Sequence, residues 1–217
     1  MKSVLKQLLF NRGIVKNGLV LWLEGEDFFN SPPTTTWGDR SGNRNNATPS
    51  GMAYTTSSGA DGVGGVVFDG VDDSCSLPLN LTTGNYTLEF RGVITASEYL
   101  FDTLVGRMVV SLGSSFSYGY IGFYDGVWKN FSVTFPLGVL THFLITFDKD
   151  NTVATLYLNN IMIGTQPYAW KDISGGTRIM SNNAESANRT SGKLKLFRVY
   201  NRILNGSERT QNYNASR

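Results

Sequence analysis

Residues 140–165, L-T-H-F-L-I-T-F-D-K-D-N-T-V-A-T-L-Y-L-N-N-I-M-I-G-T, leave little choice of fold. Phe143, Ile145 and Phe147 alternate with Leu144, Thr146 and Asp148, the period of two expected of a strand. Asp148, Lys149, Asp150 and Asn151 supply turn chemistry, because Asp and Asn bond their own backbone and tolerate left-handed geometry. A second strand follows, with Val153, Thr155 and Tyr157 set against Ala154, Leu156 and Leu158. Asn159-Asn160 then reads as a two-residue hairpin turn with positive φ, leading into a third strand at Ile161, Met162 and Ile163. Three strands joined by tight turns make an antiparallel sheet.

The same signals recur along the chain. Strands are predicted over 18–24, 63–69, 74–79, 86–94, 177–180 and 193–203, with one or two more in 100–112. A hairpin is predicted over 118–135 about Asp125-Gly126. In 86–94, Tyr86, Leu88 and Phe90 alternate with Thr87, Glu89 and Arg91, the pattern of a half-buried strand. Residues 28–56 form a long loop rich in Pro, Thr, Ser, Asn and Gly. Helical periodicity occurs only at the ends. Asn205-Gly-Ser207 caps a short polar helix, and Val4, Leu5, Leu8 and Leu9 share one side of a short N-terminal helix. These elements predict an all-β, two-sheet antiparallel sandwich over 17–217, preceded by an arm over 1–16. The leucine face of that arm is a candidate docking segment, since exposed apolar surface favours a partner.

With 217 residues, 41% hydrophobic, the chain can fill one large core. A net charge of +2 from scattered basic residues argues against nucleic acid as the main partner. No stretch reaches the length of about 18 apolar residues that a membrane span needs. The N-terminal M-K-S-V-L-K-Q-L-L-F-N-R-G is broken by Lys6 and Gln7 and makes a poor secretory signal. The seven N-x-S/T sequons read as composition in a chain rich in Asn, Ser and Thr. Cys75 is the single cysteine, so no intrachain disulfide forms; it reads as a small buried strand residue. A catalytic thiol would need the single histidine, His142, beside it.

Three stretches together resemble the laminin-G / concanavalin A-like jelly-roll family of lectin-type domains. The first is G-L-V-L-W-L-E at 18–24 with W-G-D-R-S-G-N-R-N-N-A-T at 37–48. The second is V-V-F-D-G-V-D-D at 66–73, leading into Y-T-L-E-F. The third is T-F-D-K-D-N-T-V-A-T-L-Y-L-N-N at 146–160, followed by G-K-L-K-L-F-R-V-Y-N-R-I-L-N-G-S-E-R at 192–209. The resemblance spans 17–214. It departs at Glu24, where the family has Asp, at Asn159-Asn160, where Asn-Gly or Asp-Gly is usual, and before Thr141, where the family commonly has Trp.

The resemblance implies a jelly roll, a fold that hosts lectins, glycosidases, adhesion modules and virion proteins, so function must be argued from a site. Calcium is common in the family; Asp39 and Asn43, with Asn45 and one of Asp69, Asp72 or Asp73, are the candidate oxygen ligands. Turn bonds from Asp39, Ser41 and Asn43 are the plainer reading of the same residues. Trp128, Trp170, Tyr124 and Tyr118 are candidate glycan platforms. The family's glucanases carry alternating acids on one strand, which this chain lacks; Glu24 and Glu26 are the nearest approach to a hydrolytic pair. Within that family the chain resembles domains found in bacteriophage structural proteins. It implies a non-enzymatic virion protein that docks on other virion or scaffold proteins or on itself, and that touches host-surface glycans. The alternatives are a lectin module of a secreted or cell-surface protein, and a glycoside hydrolase.

Overall fold

The computed structural model describes residues 13–96, 98–105, 108–113, 119–182 and 189–217. Val4, Leu5, Leu8, Leu9 and Tyr118 lie outside them. The strands in chain order are β1 (Leu19–Glu24), β2 (Thr48–Ser50), β3 (Gly59–Ala60), β4 (Val66–Phe68), β5 (Ser74–Leu77), β6 (Tyr86–Ala96), β7 (Tyr99–Val105) and β8 (Val109–Ser111). They continue with β9 (Gly122–Tyr124), β10 (Trp128–Asn130), β11 (Thr141–Asp148), β12 (Val153–Leu158), β13 (Ile161–Pro167), β14 (Ser174–Ile179) and β15 (Ser191–Tyr200). One α-helix, α1 (Gly206–Ala215), follows.

An eight-stranded sheet has the order β13-β12-β11-β6-β15-β4-β3, with β1 also on β15; a seven-stranded sheet has the order β10-β9-β8-β7-β14-β5-β2. The two sheets are the predicted antiparallel sandwich, and aromatic side chains join them. Phe101 of β7 stacks on Phe197 of β15, and Phe123 of β9 meets Phe147 of β11 edge-on at 5.3 Å. The 140–165 stretch folds as expected. β11 pairs β12 from Phe143↔Leu158 to Asp148↔Val153, and Asn159 and Asn160 have φ of 50° and 64°. The Asp148 carboxylate closes the other turn by accepting from the Asn151 N–H at 2.9 Å.

Several boundaries move for physical reasons. β4 begins at Val66 rather than Val63, because Asp61 holds 62–65 in a loop by accepting from the N–H groups of Val63 and Gly65, both at 2.8 Å. The long loop carries β2, which pairs β5. The last strand ends at Tyr200, where Arg202 turns to the Asn17 carbonyl and to Glu208. Asn205 then starts α1 with a full capping box.

The larger correction concerns the outer face of the eight-stranded sheet. Thr87 and Glu89 are fully buried, so β6 is covered on both faces rather than half-buried. The cover is α1 together with Ile14 and Val15, which join Trp22, Leu144, Tyr200 and Leu204 in a second apolar cluster. Ile14 and Val15, assigned to the arm by sequence, therefore pack as part of the domain, and the Val15 N–H donates to Asn212 of α1 at 3.0 Å. Among the described residues, no helix is long and apolar enough to cross a membrane.

Candidate functional site

The side chains singled out by sequence disperse over the sandwich. Asp39, Asn43 and Asn45 serve the free edge of β1, whose outward backbone groups would otherwise lack partners. Asp39 Oδ1 accepts from the N–H groups of Trp22 and Ser41, at 2.9 and 2.8 Å, and its Oδ2 from Ser41 Oγ and the Asn45 N–H, at 2.7 and 3.0 Å. Asn43 donates to the Leu19 carbonyl and Asn45 to the Val20 carbonyl. A cation on Asp39 would have to displace these four donors. Asp69, Asp72 and Asp73 bring their oxygens within 4.8 Å of one another, but beyond the other half of β15. Trp22 faces Arg198 and Phe68 faces Gly192, so six strand residues, roughly 20 Å, separate the two groups. The combined ligand set does not assemble.

Tyr124 and Trp128 face each other across β9–β10, with ring centres 5.4 Å apart, and Trp128 also packs on Tyr99 at 5.9 Å. Trp170 is exposed but its ring carries the Lys149 ammonium at 3.9 Å. It lies so close over Gly84 that a Cβ there would stand 2.1 Å from Trp170 Cδ1. Cys75 lies in the core on the seven-stranded sheet and His142 on the outer face of the other, so no thiol–imidazole pair forms. Burial pushes the Cys75 thiol well above its ordinary value.

Glu24 and Glu26 do share a site, built by the turn Gly25–Asp27 after β1. The sequence signal for it was the glycine-rich G-V-G-G at 62–65. A Cβ on Gly25 would meet the Gly64 carbonyl oxygen at 2.7 Å and Gly65 Cα at 2.9 Å, so the two backbones touch only because Gly25 has no side chain. The 62–65 loop is held by Asp61, which pairs with Lys193 at 2.7 Å. Burial pushes the Asp61 carboxyl up, but Lys193 and the two backbone donors outweigh it and hold it below its ordinary value. Between turn and loop runs a cleft of about 580 Å³, lined by Glu26, Phe29, Asn30, Ser31, Val63 and Gly64 among others. Phe29 is 54% exposed at its edge, an aromatic that sequence reasoning passed over. Asn30 shapes the floor by exchanging two hydrogen bonds, both 2.8 Å, with the backbone of Ala60.

Glu26, Val63 and Gly64 also line a second pocket of about 180 Å³, whose other side chains include Glu24, Arg91, Lys195, Arg198 and Arg217. Behind it lies a buried polar network. Arg198 reaches Glu24 at 3.3 Å and Glu89 at 3.1 Å. The Trp22 indole N–H also donates to Glu24. Glu89 further takes His142 Nε2 at 2.8 Å and the Asn212 amide at 2.8 Å, and Asn212 donates to the Tyr200 hydroxyl. Burial pushes the Glu24 carboxyl above its ordinary value against the pull of Arg198. The network ties β1, β6, β11 and β15 to α1, so Glu24 anchors the fold as well as lining the pocket.

The fold is shared with solved structures of low sequence identity. Domain 4 of an extracellular arabinanase from Geobacillus stearothermophilus, solved with arabinotriose, superposes with a TM-score of 0.66 at 15% identity, over 92% of this chain and 98% of that one. A structure of botulinum neurotoxin type C, whose cell entry depends on two ganglioside molecules, gives 0.64 at 10% identity, over 94% of this chain and 52% of that one. Trypanosoma rangeli sialidase in complex with sialic acid gives 0.59 at 16% identity, over 90% and 32%. No curated protein matches the chain in sequence. The family model of the concanavalin A-like lectin/glucanases superfamily matches residues 69–208, well over half of the chain. On that match and the two-sheet architecture, the chain belongs to the concanavalin A-like lectin/glucanases superfamily.

Proposed function

We propose that this protein is a non-enzymatic glycan-binding jelly roll, and that the cleft between 25–31 and 59–65 is its binding surface. The observation that carries this reading is the exposed Phe29 ring beside polar Glu26, Asn30 and Ser31, against a glycine-rich wall. An aromatic ring offers a sugar's apolar face a platform, while convergent polar groups take its hydroxyls. A cleft of about 580 Å³ falls in the range of small-ligand sites. Glu24 is engaged by Arg198 and Trp22, which favours a structural role for it over a hydrolytic one.

Phe29→Ala is expected to weaken glycan binding at least about tenfold, or about 1.4 kcal/mol, while the exposed position keeps the change in stability within about 0.5 kcal/mol. A glycan array followed by titration measures the first, thermal melting the second. Binding that survives Phe29→Ala but disappears in Trp128→Ala or Trp170→Ala would move the site to those rings.

Attachment to a virion is the finer form of this reading, with Val4, Leu5, Leu8 and Leu9 docking on another particle protein and the sandwich facing outward. It is favoured by apolar surface at one end of the eight-stranded sheet, where Leu137, Val139, Ile161 and Met162 are each at least half exposed. Light scattering on the full chain and on a version starting at Gly13 tests it. The full chain is expected to associate and the shortened one to stay monomeric; equal masses for both would end the docking role of the arm.

A further inference from the structure

We propose that the small pocket at the end of the cleft receives the anionic group of an acidic sugar, a carboxylate or a sulfate ester, while the cleft takes the neighbouring sugar rings. This rests on the reading of the cleft as a glycan site.

The pocket is lined by four basic side chains, Arg91, Lys195, Arg198 and Arg217, and two acidic ones, Glu24 and Glu26. Basic side chains therefore outnumber acidic ones in its lining. Arg198 is spent on Glu24 and Glu89. The other three cations have no such partner: among the described residues, no carboxylate lies within ion-pair distance of Arg91, Lys195 or Arg217.

Arg91 donates to the Ser216 carbonyl, which fixes its guanidinium beside the pocket without neutralising it. Burial, with Arg217 close by and against the opposing pull of Tyr213, holds Arg91 below its ordinary value. Arg198 Nε is fully buried and has no hydrogen-bond partner, a further donor left unused.

A guanidinium and an ammonium recognise a carboxylate or sulfate through charge-assisted hydrogen bonds. The pocket's volume of about 180 Å³ suits a charged substituent, and it shares Glu26, Val63 and Gly64 with the larger cleft. Glu26 stands at this junction, where its carboxylate accepts hydroxyls of the sugar rings.

The test uses matched probes on the full chain at low salt: trigalacturonate against galactotriose, and 6-sulfolactose against lactose. At least one acidic member is expected to bind at least about tenfold tighter than its neutral counterpart. The preference should shrink as salt rises. In Arg91→Gln/Lys195→Gln the preference should vanish while neutral binding stays unchanged. If that double variant melts early, Lys195→Gln alone should still reduce the preference. Equal affinity for acidic and neutral partners, or a preference that survives the substitutions, overturns the proposal and leaves the cleft reading standing. Binding of no probe at all, together with a blank glycan array, removes both.

Discussion

Arg198→Met is expected to destabilise the protein by about 3–5 kcal/mol, the cost of leaving buried charges without their partner. For a chain of this size that lowers the melting temperature by roughly 6–20 °C. Arg198 is 1% exposed and stands between Glu24 and Glu89, and its loss strands a fully buried carboxylate under α1. Thermal and urea unfolding measure the effect, and a loss below about 1 kcal/mol would mean that the network is not structural.

The two acids of the network act in opposite directions with pH. Burial pushes Glu89 up, but Arg198, His142 and Asn212 outweigh it and hold it below its ordinary 4.5. A group with a depressed folded value contributes stability that is complete above 4.5 and is lost as pH falls through the folded value. Glu24, held above 4.5, contributes stability that is present below 4.5 and is lost as pH rises through its raised value. Glu89→Gln should therefore lose less stability than the parent protein as pH drops below 4.5. Unchanged acid sensitivity would contradict the assignment.

Trp37→Ala should cost a similar amount, about 3–5 kcal/mol, through a different mechanism. Trp37 is fully buried, meets Phe28 edge-on at 5.6 Å and donates its indole N–H to the Glu24 carbonyl at 2.7 Å. Its backbone also exchanges hydrogen bonds with Ala47, closing the loop that presents Asp39 to β1. Removing the ring opens a cavity, orphans a carbonyl and loosens the edge cover of β1 together. A loss below about 1 kcal/mol would show that the loop is held without it.

What could be read from the sequence was local. Asn159-Asn160, Asp125-Gly126 and Asn205 each fix a turn or cap from a few adjacent residues, and all stand where expected. Strand alternation gave the sandwich for the same reason. The buried network could not be read in this way, because Glu89 finds His142 53 positions away and Arg198 109 positions away. Leu144, an apolar residue on the polar side of its strand, was a local sign that this face would be covered, as were Trp22 and Tyr200. The aromatics drew attention by type, yet exposure depends on the fold: Phe29 was overlooked in a loop while Trp128 packs on Tyr124 and Tyr99. Of the three stretches that carried the resemblance, the second and third overlap the 69–208 match to the family, while the polar residues of the 37–48 motif serve the edge of β1.

The central claim is that the cleft beside Phe29 holds a glycan. Its most direct test is amide chemical-shift mapping of the full chain, titrated in turn with arabinotriose, galactotriose and trigalacturonate. The account predicts saturable shifts concentrated in 25–31 and 59–65, extending to Arg91 and Lys195 with the acidic probe, and each sugar recovered intact. Shifts centred on Trp128 or Trp170, cleavage of a probe, or no response to any of the three would contradict it.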